Sequence, residues 1–110
     1  MNEPQDWDEG MFGTLDLNAV RERHKPDYKF RVQQRMAKPH TQFPSLCNVT
    51  QTTYVISGSI EIASEDGSGA RTIHANQFFE LPPGRYLITY KEAVEFIFVL
   101  ELPPQVWKVG

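Results

Sequence analysis

The chain has 110 residues, of which 40% are hydrophobic and 12% aromatic, so its composition is that of one folded domain rather than a disordered segment. Its net charge of −3 comes from 14 acidic and 11 basic residues without a basic run, which disfavours binding to a nucleic-acid backbone. No apolar run approaches the roughly 18 residues of a membrane span, and we expect no secretory signal in the acidic N-terminus. The single cysteine, Cys47, leaves no internal disulfide, and we expect a cytoplasmic location.

The N-terminal part of the sequence has little periodic structure. Residues 1–13 are acidic and show no hydrophobic period, which predicts a flexible arm. Trp7 and Phe12 can attach that arm to the body of the protein or to a neighbouring subunit. From Asp16 onward the pattern LNAVRERH predicts one short helix. A single domain is predicted over residues 14–110.

The sequence after this helix consists of short runs that alternate with the two-residue period of β-strands. In YKFRVQQRM, Phe30, Val32 and Gln34 share one face, which we expect to be the core face. Arg31 and Arg35 lie on the other face, where a solvated or subunit-contact stripe is expected. Further strands are predicted in TTYVIS, SIEIAS, RTIHA, FFELPP, RYLITY and VEFIFVLEL. Short strands separated by Gly, Pro or Asp are typical of an all-β sandwich or barrel.

Two segments resemble the cupin family of small jelly-roll (double-stranded β-helix) barrels. YVISGSIEI resembles the family's strand–glycine–strand element, with Gly58 at the hairpin. ANQFFELPPGRYLITY resembles its second motif, in which a strand ends in Pro-x-Gly. The resemblance implies an all-β cupin-type barrel with a short N-terminal arm and at most one short helix.

The metal ligands of the family are missing from the positions that its motifs assign. Metal-binding cupins carry two histidines one residue apart, a glutamate seven residues before the hairpin glycine, and a histidine after Pro-x-Gly. Here the glutamate position is Gln51, the first two histidine positions fall near Pro44 and Leu46, and the last falls at Leu87. An amide and apolar side chains do not make a site for zinc, iron or manganese. We therefore expect neither a metal nor another cofactor.

His40 lies eighteen residues before Gly58. This spacing resembles that of the catalytic histidine in the metal-free cupin dehydratases of uridyl-peptide antibiotic biosynthesis. The resemblance implies that His40 is a general base and then a general acid, removing a proton α to a carbonyl so that the enolate expels a β-hydroxyl. The alternative is a solvent-facing histidine in a proline-rich bend. The family's pocket tyrosines on the strand before the glycine correspond here to Gln51 and Thr53.

Six further residues are candidates for substrate binding: Gln34, Gln51, Thr53, Arg85, Tyr90 and Glu101. The two on the strand before Gly58 share a face and can hold a hydroxyl or carbonyl, or else serve only as strand formers. Gln34 is either a pocket wall or a satisfied core amide. Arg85 or Tyr90 would stabilise an enolate oxygen, although Tyr90 also fits a subunit interface. Glu101 would orient His40 or simply face solvent.

Three functions remain open from the sequence. The first is a metal-independent lyase or isomerase, dehydratase-like, acting on a small carbonyl-bearing sugar, nucleoside or polyketide-type metabolite. The second is a non-catalytic small-molecule-binding cupin that serves as a sensor or storage module. The third is a metal-dependent cupin with unusual ligands, such as His40 with His74 or Glu80. In each, the partner is a small molecule, not a nucleic acid or a membrane, and the protein is a monomer or homodimer.

Overall fold

A computed structural model describes residues 3–104, which form two antiparallel β-sheets and two short helices. The helices are α1 (Glu9–Phe12) and α2 (Leu17–Arg23), followed by one turn of 3-10 helix (Asp27–Lys29). The strands are β1 (Gln5–Asp6), β2 (Phe30–Ala37), β3 (Thr41–Cys47), β4 (Gln51–Ser57), β5 (Ser59–Ser64), β6 (Arg71–His74), β7 (Gln77–Leu81), β8 (Gly84–Tyr90) and β9 (Val94–Glu101).

The two sheets have the connectivity of a jelly roll. The five-stranded sheet has the order β1-β7-β4-β9-β2, and the four-stranded sheet has the order β3-β8-β5-β6. From β2 onward every link between consecutive strands changes sheet, except the β5–β6 hairpin. This confirms the predicted all-β jelly-roll architecture. It has two short helices where at most one was expected, because the four residues of α1 are too few to show a helical period.

Side chains that point between the sheets form the main core. On β4 the inward positions lead to Val55, which is fully buried, and on β5 they include Ile60 and Ile62. Phe79 and Phe96 reach the same cluster from β7 and β9. The alternation of one buried face along each strand thus produces a single interior.

The five-stranded sheet is buried on its outer face as well. A second cluster joins residues of β4 and β9 to the N-terminal segment, and its buried members are Trp7, Leu15, Val20, Tyr54, Ile97 and Val99. Arg23, at the end of α2, places its guanidinium carbon 4.8 Å from the ring centre of Phe78 and 5.1 Å from that of Phe12. These cation–π contacts add to the apolar packing that holds α2 on the sheet. Within residues 3–104 neither helix is long and apolar enough to cross a membrane.

The segment predicted as a flexible arm is packed on the barrel over its described part. β1 pairs with β7, and Trp7 is only 4% exposed. The Trp7 indole N–H donates a hydrogen bond of 2.8 Å to the carbonyl of Gly13. Burial of this large ring attaches the segment to the body of the protein, which is one of the two alternatives that the sequence left open. The predicted domain end at residue 110 lies outside the described residues.

The orientation of β2 is the reverse of the predicted one. Phe30 and Val32 pack into the outer cluster, beneath the N-terminal segment. Gln34 and Met36 lie on the same face of the strand, past the part that the N-terminal segment covers. Both are exposed, Met36 by 81%. The opposite face, which carries Arg35, looks into the space between the sheets. The apolar face of this strand is therefore real, but it belongs to the second cluster and not to the interior.

Gly58 alone joins β4 of one sheet to β5 of the other. Its φ is +81°, and a Cβ atom there would lie 2.3 Å from the carbonyl oxygen of Ala93. Ala93 belongs to the link between β8 and β9, which also crosses between the sheets. Both the backbone conformation and the close approach of these two crossings require glycine.

His24, which follows α2, lies against the outer cluster. Its Nε2 is 2.8 Å from the hydroxyl of Tyr54, and its ring centre is 5.0 Å from that of Phe30. Burial, assisted by the positive charge of Arg23, lowers the pKa of His24, while burial raises the pKa of Tyr54. The imidazole is therefore neutral at neutral pH, and its Nε2 shares a hydrogen bond with the Tyr54 hydroxyl.

We expect Gly58→Ala to lower the free energy of unfolding by about 3 kcal/mol or more, since it adds a clash with backbone to the strain of positive φ. The matched control is Gly67→Ala, because Gly67 has a φ of +85° and no atom within 4 Å of the added Cβ. Its expected cost is about 1 kcal/mol, from backbone strain alone. Urea denaturation of both variants measures the difference. Equal costs would show that the contact with Ala93 is unimportant.

We expect the stability of the protein to fall as the pH drops below 6.5, the ordinary pKa of histidine, because the unfolded chain then binds a proton that folded His24 resists. The contribution of neutral His24 to stability is fully present above pH 6.5. It is lost progressively as the pH falls from 6.5 to the lowered pKa that His24 has in the folded state. In His24→Gln this part of the slope should disappear, whereas the exposed control His40→Gln should keep it. Urea denaturation between pH 5 and 8 measures the slopes. An unchanged slope in His24→Gln would contradict the assignment.

Candidate functional site

A cavity of about 200 Å³ lies between the two sheets. Three strands of the four-stranded sheet and four strands of the five-stranded sheet contribute to its wall. Its lining residues are Arg35, Phe43, Ser45, Gln51, Thr53, Ile60, Ile62, Leu81, Ile88, Tyr90, Phe96 and Phe98. This interior space, bounded by both apolar and polar side chains, is the candidate functional site.

The polar part of the wall comes chiefly from β4. Its inward positions are Gln51, Thr53 and Val55, so the strand changes from polar to apolar as it approaches Gly58. Thr53 is only 4% exposed, yet its hydroxyl makes no hydrogen bond to the described residues. No fully enclosed side-chain N or O atom of residues 3–104 lacks a partner, which indicates that this hydroxyl faces the cavity. It is available to hydrogen-bond a molecule bound there.

Four aromatic rings form a continuous side of the cavity. Phe43 lies 5.6 Å from Tyr90, Tyr90 stacks 5.9 Å from Phe96, and Phe96 lies 6.2 Å from Phe98, measured between ring centres. Burial raises the pKa of Tyr90, and the charge of Arg35 only partly opposes this. The phenol therefore keeps its proton at neutral pH and offers a hydrogen-bond donor beside a flat apolar surface.

Among the described residues, Arg35 is the only charged one in the cavity wall. Its guanidinium carbon lies 5.2 Å from the ring centre of Phe98, and Nη2 donates a hydrogen bond of 2.8 Å to Oε1 of Gln33. None of the described carboxylates lies within ion-pair distance of it. The sequence analysis placed Arg35 on a solvated or subunit-contact stripe; its side chain is indeed exposed, but it also contributes to the cavity wall. The orientation of β2 could have been inferred from the apolar residues of the N-terminal segment, such as Trp7 and Val20. These residues have to be buried against a sheet, so they indicate that one sheet has a second apolar face.

The two residues to which the sequence assigned the first histidine positions of metal-binding cupins do not face the interior. Ser45 and Cys47 point inward, whereas Pro44 is exposed and Leu46 is 60% exposed. The Cys47 thiol lies 3.6 Å from Oε1 of Gln51, and burial raises its pKa. A hydroxyl, a protonated thiol and an amide do not fit a divalent transition metal.

The unusual ligand set considered above does not assemble either. No three His, Cys, Asp or Glu side chains of residues 3–104 come together in a way that could hold a metal ion. This includes His40, His74 and Glu80, which lie on three separate parts of the fold.

The other predicted residues lie away from the cavity. His40 is exposed in the link between β2 and β3 with a φ of 61°, and it is not among the lining residues. Gln34 is on the outer face, where its Nε2 donates to Oε2 of Glu95 at 3.1 Å. Arg85 is exposed and lies 3.8 Å from Glu65.

Glu101 lies at the exposed end of β9, beside a shallow outer depression that also contains His24 and Thr50. It is not in position to orient His40 inside the barrel. Of the seven predicted site residues, the structure brings Gln51, Thr53 and Tyr90 together in the cavity. Their roles in binding stay predictions.

We expect zinc to stabilise the protein only after the missing donors are restored. In the variant Ser45→His/Cys47→His/Gln51→Glu, added Zn²⁺ should raise the thermal midpoint and EDTA should reverse the rise, because binding to the folded state alone stabilises it. The control Pro44→His/Leu46→His/Gln51→Glu places the histidines on the outward face. Neither it nor the unchanged protein should respond. A zinc-dependent rise in the unchanged protein would contradict this assignment.

No protein-family model and no curated protein matches the chain, whereas several solved structures resemble it. The EutQ protein of Clostridium difficile has a TM-score of 0.61 and 19% identity over 66% of this chain and 56% of its own. The EutQ protein of Salmonella typhimurium has a TM-score of 0.60 and 18% identity over 66% of this chain and 58% of its own. The chain thus spans little more than half the length of these two proteins.

The third structure is the cupin_2 domain of an XRE family transcriptional regulator from Enterobacter cloacae. It has a TM-score of 0.58 and 22% identity over 69% of this chain and 84% of its own. Identities this low show the fold alone, and they do not extend to the dehydratase resemblance drawn from the spacing of His40. The chain therefore has the jelly-roll cupin fold.

Proposed function

We propose that this chain is a small-molecule-binding cupin domain whose ligand occupies the cavity between the sheets. The observation that carries the proposal is the chemistry of the cavity wall. Within residues 3–104 this wall has one arginine and several neutral hydrogen-bonding groups but no histidine and no carboxylate. Such a wall is suited to holding a molecule in place. The largely preformed space and the few polar groups directed into it are typical of binding sites.

Catalysis by proton transfer finds less support in the same wall. A general base has to lie within about 3 Å of the proton that it removes, or one water further away. His40 is not among the lining residues, and burial raises the pKa values of both Tyr90 and Cys47, so neither is a base at neutral pH. These positions favour the binding hypothesis over the lyase or isomerase hypothesis, which would need His40 to enter the barrel.

A sensor role is compatible with the comparisons. One of the similar structures is the cupin_2 domain of a transcriptional regulator, so a domain of this fold occurs in a regulatory protein. In a sensor the ligand would be recognised and released without chemical change. A cavity without a titrating base serves that purpose.

We expect Ser45→Phe to fill the cavity and abolish ligand binding, while Leu46→Phe, on the outward face of the same strand, leaves it unchanged. The probes are 4-hydroxybenzoate, 4-hydroxybenzyl alcohol and 4-hydroxybenzylamine, which share one ring and differ in charge. Binding is measured by the shifts of backbone amide resonances in two-dimensional NMR. At least one probe should shift the resonances of cavity-lining residues in the unchanged protein and in Leu46→Phe, but not in Ser45→Phe.

Two outcomes would count against the proposal. If none of the three probes shifts cavity resonances, or if a folded Ser45→Phe binds as the unchanged protein does, the cavity is not a binding site. Retention of the amide spectrum establishes that Ser45→Phe is folded. Conversion of a hydroxy-aldehyde by the purified protein that is lost in His40→Ala would instead favour the lyase hypothesis.

A further inference from the structure

We propose that the ligand of this cavity is a small monoanion, a carboxylate on a flat and largely apolar body, with Arg35 as the partner of the carboxylate. The proposal rests on the proposed function of the cavity and adds the class of molecule that it takes. It follows from the charge of the wall, from the way in which Arg35 is held, and from the shape of the apolar surface.

The charge of the wall is positive although the protein as a whole is negative. The chain has a net charge of −3, but Arg35 is the one charged residue among the twelve that line the cavity. Some of the other basic side chains lie within ion-pair distance of an acidic partner. Arg71 pairs with Glu3 at 2.7 Å and Lys91 pairs with Glu61 at 2.8 Å. Arg35 pairs with none of the described carboxylates, so its charge is left to be matched from outside the protein.

The side chain of Arg35 is exposed at the cavity wall and makes two contacts that favour one orientation. Its guanidinium stacks against Phe98, and one of its two terminal nitrogens, Nη2, bonds the amide oxygen of Gln33. The remaining N–H groups form the planar fork that matches the two oxygens of a carboxylate. A pre-positioned guanidinium loses little conformational freedom on binding, which raises its affinity for such a group.

The rest of the wall fits a flat ring. Phe43, Tyr90, Phe96 and Phe98 form one continuous side, and aliphatic residues of both sheets complete the enclosure. A dry cavity of about 150 Å³ holds one benzene ring. The volume of about 200 Å³ therefore has room for a ring with small substituents but not for a nucleotide.

The other end of the cavity can accept a second polar group. Along β9, Arg35 is paired with Phe96, whereas Thr53 and Gln51 are paired with Phe98 and Leu100. The hydroxyl and amide of β4 thus lie further along the barrel than the guanidinium. A hydroxyl-substituted aromatic carboxylate spans both ends, and 4-hydroxybenzoate is the probe that represents this class.

The experiment compares the three probes named above on the full chain and on two arginine variants, using NMR titrations. We expect the unchanged protein to bind 4-hydroxybenzoate at least about tenfold more tightly than the equally sized neutral alcohol, and to bind the amine weakest. Arg35→Gln should bind the acid and the alcohol equally. The control Arg31→Gln removes an arginine from the same strand and the same face that does not line the cavity, so it should keep the full preference.

A second variant separates charge from geometry. Arg35→Lys keeps the positive charge but loses the fork, so its preference for the acid should lie between those of the unchanged protein and Arg35→Gln. It also decides the question if Arg35→Gln does not fold. An equal or stronger preference in Arg35→Lys would show that the bidentate fork is not used.

The failure of this proposal is distinguishable from that of the proposed function. If the alcohol or the amine binds as tightly as the acid and Ser45→Phe blocks it, the cavity binds small molecules but the anionic class is wrong. The same conclusion follows if Arg35→Gln retains the preference for the acid. If none of the probes binds, the proposed function itself is overturned.

Discussion

The close approach of Gly58 to the backbone of Ala93 is the contact on which the rest of the barrel depends. At this point two links between the sheets, β4–β5 and β8–β9, cross within van der Waals distance, and this sets the separation of the sheets at one end. Val55 and Val94, beside the crossing, are fully packed. Further along β4 the sheets enclose a space that these side chains do not fill. The cavity therefore lies away from the crossing, where the two sheets are no longer held close together by these two links.

The same crossing explains which parts of the fold were predictable. The sequence placed Gly58 at a hairpin, whereas it is a link between the two sheets. With Gly58 at the end of β4, the two-residue period nevertheless predicts that Gln51 and Thr53 face inward, and the structure agrees. The orientation of β2 was not predictable in this way. Its apolar residues, Phe30 and Val32, cover the outer cluster, because the five-stranded sheet is buried on both faces. Hydrophobic alternation identifies a buried face but not the side of the sheet on which it lies.

The candidate site was predictable only where strands carry it. Tyr90 follows the Pro-x-Gly turn on a strand of fixed alternation, and it lies in the cavity as expected. His40 lies in the link between β2 and β3. In a link, the number of residues to Gly58 does not determine the direction in which the side chain points. Gln34 was expected on the inward face as a pocket wall or core amide, and Arg35 on the outward face, because the predicted orientation of β2 was inverted. Both side chains are exposed in the structure, but only Arg35 also lines the cavity.

The cavity combines uncharged polar side chains with one positively charged side chain from another strand. Ser45, Cys47 and Gln51 face the interior, and none of them carries a charge at neutral pH. The positive charge is supplied by Arg35 on β2, at the edge of the five-stranded sheet. An arginine keeps its charge across the physiological pH range, and stacking on Phe98 shields its flat face from water. Recognition of an anion in this barrel would then require neither a metal nor a titrating histidine, because a fixed guanidinium provides the attraction.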